Sequence, residues 1–328
     1  ASTLQRPAIP DNEDARLKAL RSLNILDTHA EERFDRVTRI AMRMFDVPVA
    51  LISLVDENRQ WFKSCAGTSL SETPRDLALC GHAILGDEIF IIPDTLKDIR
   101  FSDNPLVTGE PYIRFYAGRP ICSMHGFKIG TLCLIDHQPR MFTTKDLEDL
   151  NDLAHMVESE LTAIELAIMD ELTQLNNRRG FTMLADKYLN YFARHQIPAT
   201  LVFMDLNQFK AINDTYGHDE GDRALQTFAE AIKLTGRSSD IFARLGGDEF
   251  VVLLANTEIR EADVYIQRLC ACLKTMKATK TQPYDILFAP GVVQFNPAQP
   301  EKIEQLLMTG DALMYQLKKS AAPHALLF

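Results

Sequence analysis

The stretch Arg-Leu-Gly-Gly-Asp-Glu-Phe at residues 244–250 decides the fold of the second half of this chain. Apolar residues at 241–242 and 251–254 flank it, so the stretch is predicted to form the tip of a β-hairpin. Gly246 and Gly247 let the backbone approach a ligand that a Cβ would exclude. If the strand is extended, Asp248 and Glu249 point to opposite faces, and one of them can face a metal or phosphate site. Taken alone, the same residues are more typical of an ordinary charged hairpin turn.

A further carboxylate follows an apolar run upstream. Residues 199–204 are predicted to form a buried strand that delivers Asp205 at its carboxyl end, where an open α/β sheet places its ligand. With Asp248 at the tip of a neighbouring hairpin, the two carboxylates can bridge a pair of hard cations such as Mg²⁺, which prefers oxygen ligands and substrate phosphates. The pattern therefore indicates phosphoryl or nucleotidyl transfer.

Other short motifs accompany these carboxylates. They are Asp-Glu-Leu-Thr at 170–173, Asn-Arg-Arg-Gly-Phe at 177–181, Asp-Leu-Asn-Gln-Phe-Lys at 205–210, Asn-Asp at 213–214, Gly-His at 217–218, Gly-Asp at 221–222 and Gly-Gly-Asp-Glu-Phe at 246–250. In this order and spacing they resemble the GGDEF-domain diguanylate cyclases, from residue 170 to about residue 319. The resemblance implies a central, mostly antiparallel sheet surrounded by helices. It also implies condensation of two GTP molecules into cyclic di-GMP with release of two pyrophosphates, each GTP held by one domain of an antiparallel homodimer.

The resemblance assigns the catalytic and metal-binding roles. Two cations per active site, Mg²⁺ or Mn²⁺, would be held by Asp205 and Asp248, assisted by the carbonyl of Leu206. Glu249 would be a further carboxylate of the metal site, as a ligand or as a group that orients one. Deprotonation of the attacking 3′-hydroxyl would be assisted by the metal and by Asp248 or Glu249. Lys318 would reach the triphosphate.

The resemblance also assigns substrate contacts. Asn213 and Asp222 would hydrogen-bond guanine, since a carboxylate accepts from the N1–H and amino group of guanine, whereas adenine offers no such pair of donors. The phosphates would be cradled by backbone N–H groups and by the hairpin tip. The residues involved would be Gln208, Phe209, Lys210, Gly246 and Gly247, with Lys210 neutralising phosphate charge.

One position departs from the family pattern. Four residues after the Lys, the family usually has an Arg that reaches the triphosphate, and this chain has Ala322. A charge-assisted phosphate contact of this kind contributes roughly 1.5 to 3 kcal/mol, so weaker GTP binding is expected without loss of all activity. Ala322 favours the alternative of a noncatalytic receptor for GTP or cyclic di-GMP that signals to a protein partner, whereas the retained carboxylates favour an enzyme. A cyclase that makes a mixed dinucleotide is disfavoured because Asp222 is intact.

An inhibitory site for the product is a further hypothesis. Arg237 and Asp240 have the spacing of the family's product-binding site, in which Arg237 would engage a phosphate and stack on guanine while Asp240 accepts from the base edge. The alternative is an exposed turn with a solvated Arg. The position of the pattern favours the inhibitory site.

The first half of the chain predicts a different domain. Helices are predicted at about 12–25, 31–44 and 76–85, and strands at 48–55, 60–65, 89–92, 119–124 and 128–135. Together with the motifs at 53–56, 60–62, 73–75, 80–84 and 130–133, this α+β pattern resembles a GAF sensor domain. The predicted organisation is an N-terminal segment at 1–14, a GAF domain at 15–143, a linker helix at 144–169 and a GGDEF domain at 170–328.

The GAF resemblance does not fix a ligand, which stays unknown. Cys80 and His82 could ligate a metal or attach a chromophore, but at positions i and i+2 of a helix they point to different faces, so ordinary packing is favoured. An aromatic pocket formed by Trp61, Phe115 and Tyr116 is less favoured than an aromatic core.

The linker helix carries an apolar heptad pattern. Apolar residues alternate at spacings of three and four; they are Leu147, Leu150, Ala154, Val157, Leu161, Ile164 and Ile168. This spacing predicts the seam of a parallel two-stranded coiled coil, and hence a homodimer that relays a signal. The alternative is a helix packed on its own GAF domain, which usually shows a broader apolar stripe.

Composition is typical of a globular protein with two domains, since the chain has 328 residues, of which 46% are hydrophobic. The net charge of −10 disfavours nonspecific binding to nucleic acid. No apolar run approaches a membrane span and no signal peptide is evident, so a cytoplasmic protein without a nucleic-acid or membrane partner is expected. The six cysteines lack paired zinc-site spacing and are predicted to be reduced core thiols.

Overall fold

The computed structural model describes residues 4–320 and consists of two compact units that divide between Glu165 and Leu166. Each unit has its own antiparallel sheet with an apolar cluster on each of its two faces. Within residues 4–320, no helix is long and apolar enough to span a bilayer.

The first unit contains a six-stranded antiparallel sheet with the order β3-β2-β1-β6-β5-β4. Its strands are β1 (Val49–Val55), β2 (Arg59–Ala66), β3 (Glu72–Pro74), β4 (Phe90–Ile92), β5 (Phe115–Cys122) and β6 (Lys128–Asp136). Its helices are α1 (Glu13–Ser22), α2 (Glu32–Phe45), α3 (Leu79–Ala83), α4 (Pro105–Thr108) and α5 (Thr144–Ile168), the last of which ends three residues beyond the unit boundary. The predicted α+β architecture is confirmed.

Two element predictions differ from the structure. A single helix was expected at 76–85, but a 3₁₀ turn (Arg75–Leu77) precedes a five-residue α3, because Ala78 between them is extended with φ −74° and ψ 120°. The strand expected at 119–124 begins four residues earlier, at Phe115. Its alternating pattern was hidden because every residue from 115 to 118 is buried, so no polar face marked the start.

The central strand β1 is buried along its whole length because helices and loops cover both faces of the sheet. Ala50, Ile52 and Leu54 contribute to the cluster that α1, α2 and α5 cover. Their neighbours Val49, Leu51 and Val55 face the opposite cluster, which includes α3. The two-residue period of the strand therefore divides one apolar run between two cores.

The apolar positions of α5 belong to the core of this first unit. Leu150, Ala154, Val157 and Leu161 are each at most 2% exposed and pack in the same cluster as α1, α2 and the sheet, with Ile164 partly buried beside them. Residues that are buried within one chain cannot form a seam with a second chain. The coiled-coil interpretation of these positions is therefore wrong, and the alternative, packing on the chain's own GAF domain, describes them.

Polar contacts also hold α5 to the sheet. The carboxylate of Glu158 accepts the backbone N–H of Cys122 at 2.7 Å and pairs with Arg119 at 3.0 Å. Arg119 also donates from Nε to Asn151 at 3.1 Å. The helix is thus attached to β5 by half-buried charged groups as well as by its apolar stripe.

The second unit contains a four-stranded antiparallel sheet with the order β10-β7-β9-β8. Its strands are β7 (Ala199–Leu206), β8 (Ile241–Gly246), β9 (Glu249–Ala255) and β10 (Phe288–Phe295). Its helices are α6 (Arg178–His195), α7 (Phe209–Tyr216), α8 (His218–Thr235), α9 (Ile259–Lys280) and α10 (Ile303–Ser320). An antiparallel sheet between helices is the architecture that the motif resemblance implied.

Helices cover both faces of this sheet. On β7, Val202 and Met204 face the cluster that contains α8 and α9, while Leu201 and Phe203 face the cluster that contains α6 and α10. The strand is therefore buried on both sides, and Asp205, next to its carboxyl end, is its one residue that is not fully buried.

Two glycines set the position of α10. A Cβ on Gly291 of β10 would lie 2.0 Å from the carbonyl oxygen of Gly310, and a Cβ on Gly310 would lie 3.0 Å from Cβ of Phe203. Because neither position has a side chain, the helix backbone approaches the sheet closely at this point. This contact brings the last turns of α10, including Lys318, to the carboxyl end of β7.

Candidate active site

The hairpin tip and the end of β7 meet as the sequence predicted. Gly246 has φ 149° and Gly247 has φ 50°, conformations that favour glycine, and they turn the chain from β8 into β9. The N–H of Leu206 donates to the carbonyl of Asp248 at 3.2 Å, and Asp205 is the direct register partner of Glu249. Backbone pairing therefore fixes the three carboxylates close to one another.

Lys318 completes this cluster. Its Nζ lies 2.8 Å from Oδ2 of Asp205, and their side chains are 31% and 15% exposed. The other carboxylate oxygen of Asp205, Oδ1, is buried and accepts no hydrogen bond from a basic or amide group. The expectation that Lys318 lies at the site thus agrees with its position.

Two of these carboxyl groups, Asp248 and Glu249, have raised pKa values. Burial, followed by a hydrogen bond to Asp205 and repulsion from it, raises the pKa of Asp248 to about 6. A hydrogen bond between two carboxyl groups requires one of them to be protonated, so the bond to Asp205 is lost when Asp248 ionises. Burial also raises the pKa of Glu249, with added repulsion from Asp311 and Asp205.

A divalent cation fits this carboxylate pair. Mg²⁺ is usually bound through one or two carboxylates together with substrate phosphates and water, and a buried carboxylate oxygen without a donor is a suitable ligand. In residues 4–320, no group of three His, Cys, Asp or Glu side chains is assembled to hold a metal by itself. Asp205 and Asp248 would therefore supply two of the oxygen ligands of such a cation.

Arg244 holds the hairpin tip to the start of the unit, a role that the sequence did not suggest. Its Nη1 donates to the two carboxylate oxygens of Asp170 at 3.1 and 3.2 Å, and its Nε donates to the carbonyl of Gly247 at 2.8 Å. Asp170 also accepts from the backbone and hydroxyl of Thr173. Two motifs that are 74 residues apart are therefore joined by one guanidinium.

Replacing Arg244 with Gln is expected to lower the free energy of unfolding by about 1 to 2 kcal/mol, because it removes charge-assisted hydrogen bonds whose groups are largely shielded from solvent. Calorimetric unfolding of the full chain measures this loss. Arg260→Gln is the matched control, because the Arg260 side chain is 88% exposed, and its change is expected to stay within about 0.5 kcal/mol. Equal losses in the two variants would contradict the proposed role of Arg244.

The nucleotide-binding residues predicted from the motifs follow β7 directly. Gln208 has a left-handed backbone with φ 55° and precedes α7, whose first residues are Phe209 and Lys210. Gln208 and Lys210 are exposed, whereas the ring of Phe209 packs against the apolar core of the unit. A contribution of Phe209 to phosphate binding would therefore come from its backbone.

Asn213 and Asp222, the predicted guanine contacts, lie on α7 and α8. A Cβ on Gly221 would lie 1.8 Å from Oδ1 of Asn213, so glycine is needed for the amide to lie against α8 beside Asp222. Asn213 is half-buried and Asp222 is exposed. The two polar side chains are thus held near one another at the surface by a close helix contact.

The two residues of the predicted inhibitory site, Arg237 and Asp240, differ in the contacts that their side chains make. Both carboxylate oxygens of Asp240 accept backbone N–H groups, Oδ2 from Arg237 at 2.8 Å and Oδ1 from Ala255 at 3.0 Å. The side chain of Arg237 is exposed. Asp240 therefore stabilises the turn before β8, as the alternative interpretation expected, while the side chain of Arg237 extends into solvent.

Ala322 lies outside the described residues, so the predicted loss of an Arg contact is not addressed by the structure. Trp61 and Phe115 lie in one core cluster and Tyr116 in the opposite one, so these three rings do not line a common pocket.

The predicted packing role fits Cys80 and His82. Cys80 is 2% exposed, whereas the ring of His82 contacts Phe101 edge-on with centroids 4.9 Å apart. The expectation of core thiols holds for Cys80 and Cys133 but not for Cys65, which is exposed, and the other three cysteines are partly exposed.

Two family models match the chain. Residues 167–323 match the model described as "Diguanylate cyclase, GGDEF domain", and residues 29–161 match the GAF domain. The chain therefore belongs to the family of GGDEF-domain proteins. Its GGDEF domain is preceded by a GAF domain.

The chain is similar to known proteins chiefly through about half of its length. It is 38% identical over 174 residues to the cyclic di-GMP phosphodiesterase PA2567 of Pseudomonas aeruginosa, a match that covers 52% of this chain and 30% of that protein. It is 35% identical over 156 residues to the probable diguanylate cyclase DgcC of Escherichia coli, covering 47% of this chain and 42% of that protein. A solved structure of the GGDEF domain of PA1120 from Pseudomonas aeruginosa is 31% identical, with a TM-score of 0.43, covering 47% of this chain and 90% of that one. The chain thus spans less than half the length of these curated relatives.

Proposed function

We propose that the GGDEF unit is a diguanylate cyclase that condenses two GTP molecules into cyclic di-GMP and releases two pyrophosphates. The observation that carries this proposal is the meeting of Asp205, Asp248 and Lys318 at the glycine hairpin. The match to the GGDEF family model and the similarity to DgcC support it. PA2567 is described as a phosphodiesterase, but the match covers only 30% of that protein, so its activity is not transferred.

The residues of this unit have separable roles in that reaction. Two Mg²⁺ or Mn²⁺ ions, when bound, would polarise the reacting phosphate and lower the pKa of the attacking 3′-hydroxyl. Asp205 and Asp248, with the carbonyl of Leu206, would hold these ions, and Glu249 would orient them or accept the proton. Lys318 would stabilise the negative charge of the triphosphate.

Lys318 must change partner for that role. In the structure its Nζ pairs with Oδ2 of Asp205, and a cation at Asp205 would compete with this ion pair. The ammonium group would then be available for a phosphate oxygen. Asn213 and Asp222 would select guanine, while the backbone at 208–210 and the glycines Gly246 and Gly247 would approach the phosphates.

A homodimer is part of this proposal. Each GGDEF unit has one set of these residues, and cyclisation requires two GTP molecules that attack one another in opposite directions. Two units that face each other antiparallel would align each 3′-hydroxyl with the α-phosphate of the other nucleotide, so the main contribution of the protein is alignment. The GAF unit would provide regulatory input, for which the structure identifies no ligand.

The test is to incubate the full chain with GTP and Mg²⁺ and to identify the products by mass-resolved chromatography. Cyclic di-GMP from the parent but not from Asp248→Asn would establish the activity and the role of the carboxylate. Saturable GTP binding without product in a dimeric protein would instead support the receptor hypothesis. In that case the cyclase proposal would fail.

We further propose that cyclic di-GMP inhibits the enzyme by binding at Arg237. Arg237→Ala is expected to weaken inhibition by added cyclic di-GMP at least about tenfold without changing the initial rate, because an exposed charge-assisted contact would be lost. Inhibition constants from initial-rate assays measure this change. Arg223→Ala, which removes another exposed arginine of the unit, is the control, and equal inhibition of parent and Arg237→Ala would refute the inhibitory site.

A further inference from the structure

The GAF unit contains a buried sulfur cluster that the proposed cyclase reaction does not use. Sγ of Cys80 accepts the hydroxyl of Tyr116 at 3.1 Å and the hydroxyl of Thr131 at 3.1 Å, and it lies 3.9 Å from Sγ of Cys133. Cys80 is 2% exposed, and Tyr116, Thr131 and Cys133 are at most 1% exposed. Two thiols and two hydroxyl donors therefore converge in a dry interior, from α3 and from the adjacent strands β5 and β6.

The donors favour a negative charge on one of these sulfurs. Burial raises the pKa of Cys80, but hydrogen bonds from Cys133, Thr131 and Tyr116 outweigh it and lower this pKa to about 7. The pKa of Cys133 shifts in the opposite direction. Its hydrogen bond to Cys80, its burial and repulsion from Cys80 raise this pKa well above its usual value. One thiolate beside one thiol is the arrangement in which the first sulfur can attack and the second can resolve.

We propose that Cys80 and Cys133 form a peroxide-sensitive dithiol that closes to an intradomain disulfide. The thiolate of Cys80 attacks one oxygen of hydrogen peroxide, the O–O bond breaks, and the products are a sulfenic acid and hydroxide. The thiol of Cys133 then attacks the sulfenic sulfur, the S–O bond breaks, and water leaves as the disulfide forms. The two sulfurs lose two electrons in total. The peroxide is reduced to one water, which carries away the proton of the Cys133 thiol, and one hydroxide, which takes a proton from solvent.

Burial defines the oxidant that fits this site. The N-terminal segment lies over α3, where a Cβ on Gly81 would be 2.8 Å from Cγ of Pro7, and His82 contacts the carbonyl of Gln5. Bulky disulfides and alkylating reagents are therefore excluded from Cys80, whereas hydrogen peroxide is of the size of a small solvent molecule. The inference does not depend on the cyclase activity.

The first test is oxidation of the reduced full chain with hydrogen peroxide, followed by intact-mass analysis and peptide mapping without reductant. The expected product has lost two hydrogen atoms and contains a Cys80–Cys133 cross-linked peptide. Cys133→Ser should stop at a sulfenic acid on Cys80, seen as the gain of one oxygen atom and trapped by dimedone when the protein is unfolded, and Cys80→Ser should form neither species. Cys272→Ser is the control and should retain the cross-link.

The second test separates reactivity from packing. Thr131→Val keeps the shape of the side chain but removes one donor to Cys80, so the oxidation rate at pH 7 should fall several-fold and the midpoint of the rate against pH should move upward. Thr38→Val removes another buried hydroxyl of the same unit and should leave this pH profile unchanged.

Either of two results would overturn the proposal. If peroxide oxidises the exposed Cys65 completely while Cys80 and Cys133 of the folded protein stay reduced, the cluster is only a packing arrangement. An unchanged pH profile in Thr131→Val would likewise exclude Cys80 as the reacting thiolate.

Discussion

Asp248→Asn is expected to abolish cyclic di-GMP synthesis and, at the same time, to raise the melting temperature of the metal-free protein at neutral pH. The amide cannot supply the negative charge that would hold a divalent cation beside Asp205, and loss of such a ligand should reduce the rate at least about 100-fold. The stabilisation follows from the same geometry, because burial and Asp205 disfavour the ionised form of Asp248 in the folded state.

The sign of the pH dependence follows from the raised pKa. In the folded state the pKa of Asp248 is about 6, compared with 3.8 for an ordinary aspartic acid side chain, so the folded state binds the proton more tightly. This group therefore favours folding at low pH, and its contribution is lost as the pH rises through about 6. The amide does not ionise, so Asp248→Asn should be more stable than the parent at pH 7, and this difference in stability should disappear near pH 4.

The size of the effect is modest because Asp248 is only half-buried and solvent screens its charge. A gain of about 1 kcal/mol is expected, which corresponds to a rise of roughly 2 to 4 °C in the melting temperature for a unit of this size. Calorimetry in EDTA at pH 7 and pH 4 measures it. Asp263→Asn, on the exposed side of α9, is the control and should change neither activity nor stability. A less stable Asp248→Asn at pH 7 would show that the carboxylates do not repel one another.

The sequence predicted the centre of the site because its residues are placed by local rules. A glycine turn between two apolar strands fixes the position of Asp248, and a run of buried apolar residues leads to Asp205 near the end of its strand. The short-range sequence pattern was therefore sufficient to predict the positions of both residues. Lys318 was placed by resemblance alone, and the physical cause of its position, the close contact of Gly291 with Gly310, was not visible in the sequence.

The features that the sequence missed depend on contacts between distant residues. Arg244 lies in the hairpin, but its role arises from its contact with Asp170, which is 74 residues away in the chain. Asp240 has the spacing of a ligand contact, yet the folded turn uses both of its oxygens for backbone N–H groups. Spacing indicates that residues are near one another and does not show where their polar atoms point.

In the linker helix α5, the spacing of the apolar residues likewise did not show what they contact. Spacings of three and four describe any helix that buries one stripe, whether the opposing surface is a second helix or a sheet. In α5 the opposing surface is the GAF sheet with α1 and α2, and Leu153 broadens the stripe beside Ala154 and Val157. Only the tertiary structure shows which surface the apolar stripe of a helix packs against.

Leu161→Asp is consequently expected to destabilise the GAF unit itself. Leu161 is 2% exposed in the core cluster, so the substitution removes an apolar side chain and buries a carboxylate without a partner. The cost should be about 4 kcal/mol or more, a large part of the 5 to 15 kcal/mol that usually stabilises a domain. Met156→Asp is the control, because Met156 lies on the same helix but is 46% exposed, and its cost should be below about 1 kcal/mol.

Trp61 makes this prediction measurable in the full chain. It is the only tryptophan of the sequence, it is 8% exposed, and it packs in the same cluster as Leu161. Its fluorescence during urea unfolding therefore reports the GAF unit without interference from the GGDEF unit. The midpoint should fall strongly for Leu161→Asp at every protein concentration, since the lost contacts lie within one chain. If the substitution lowered the oligomeric state and left the Trp61 transition of dilute protein unchanged, Leu161 would belong to an interface between chains, and the core assignment of α5 would be wrong.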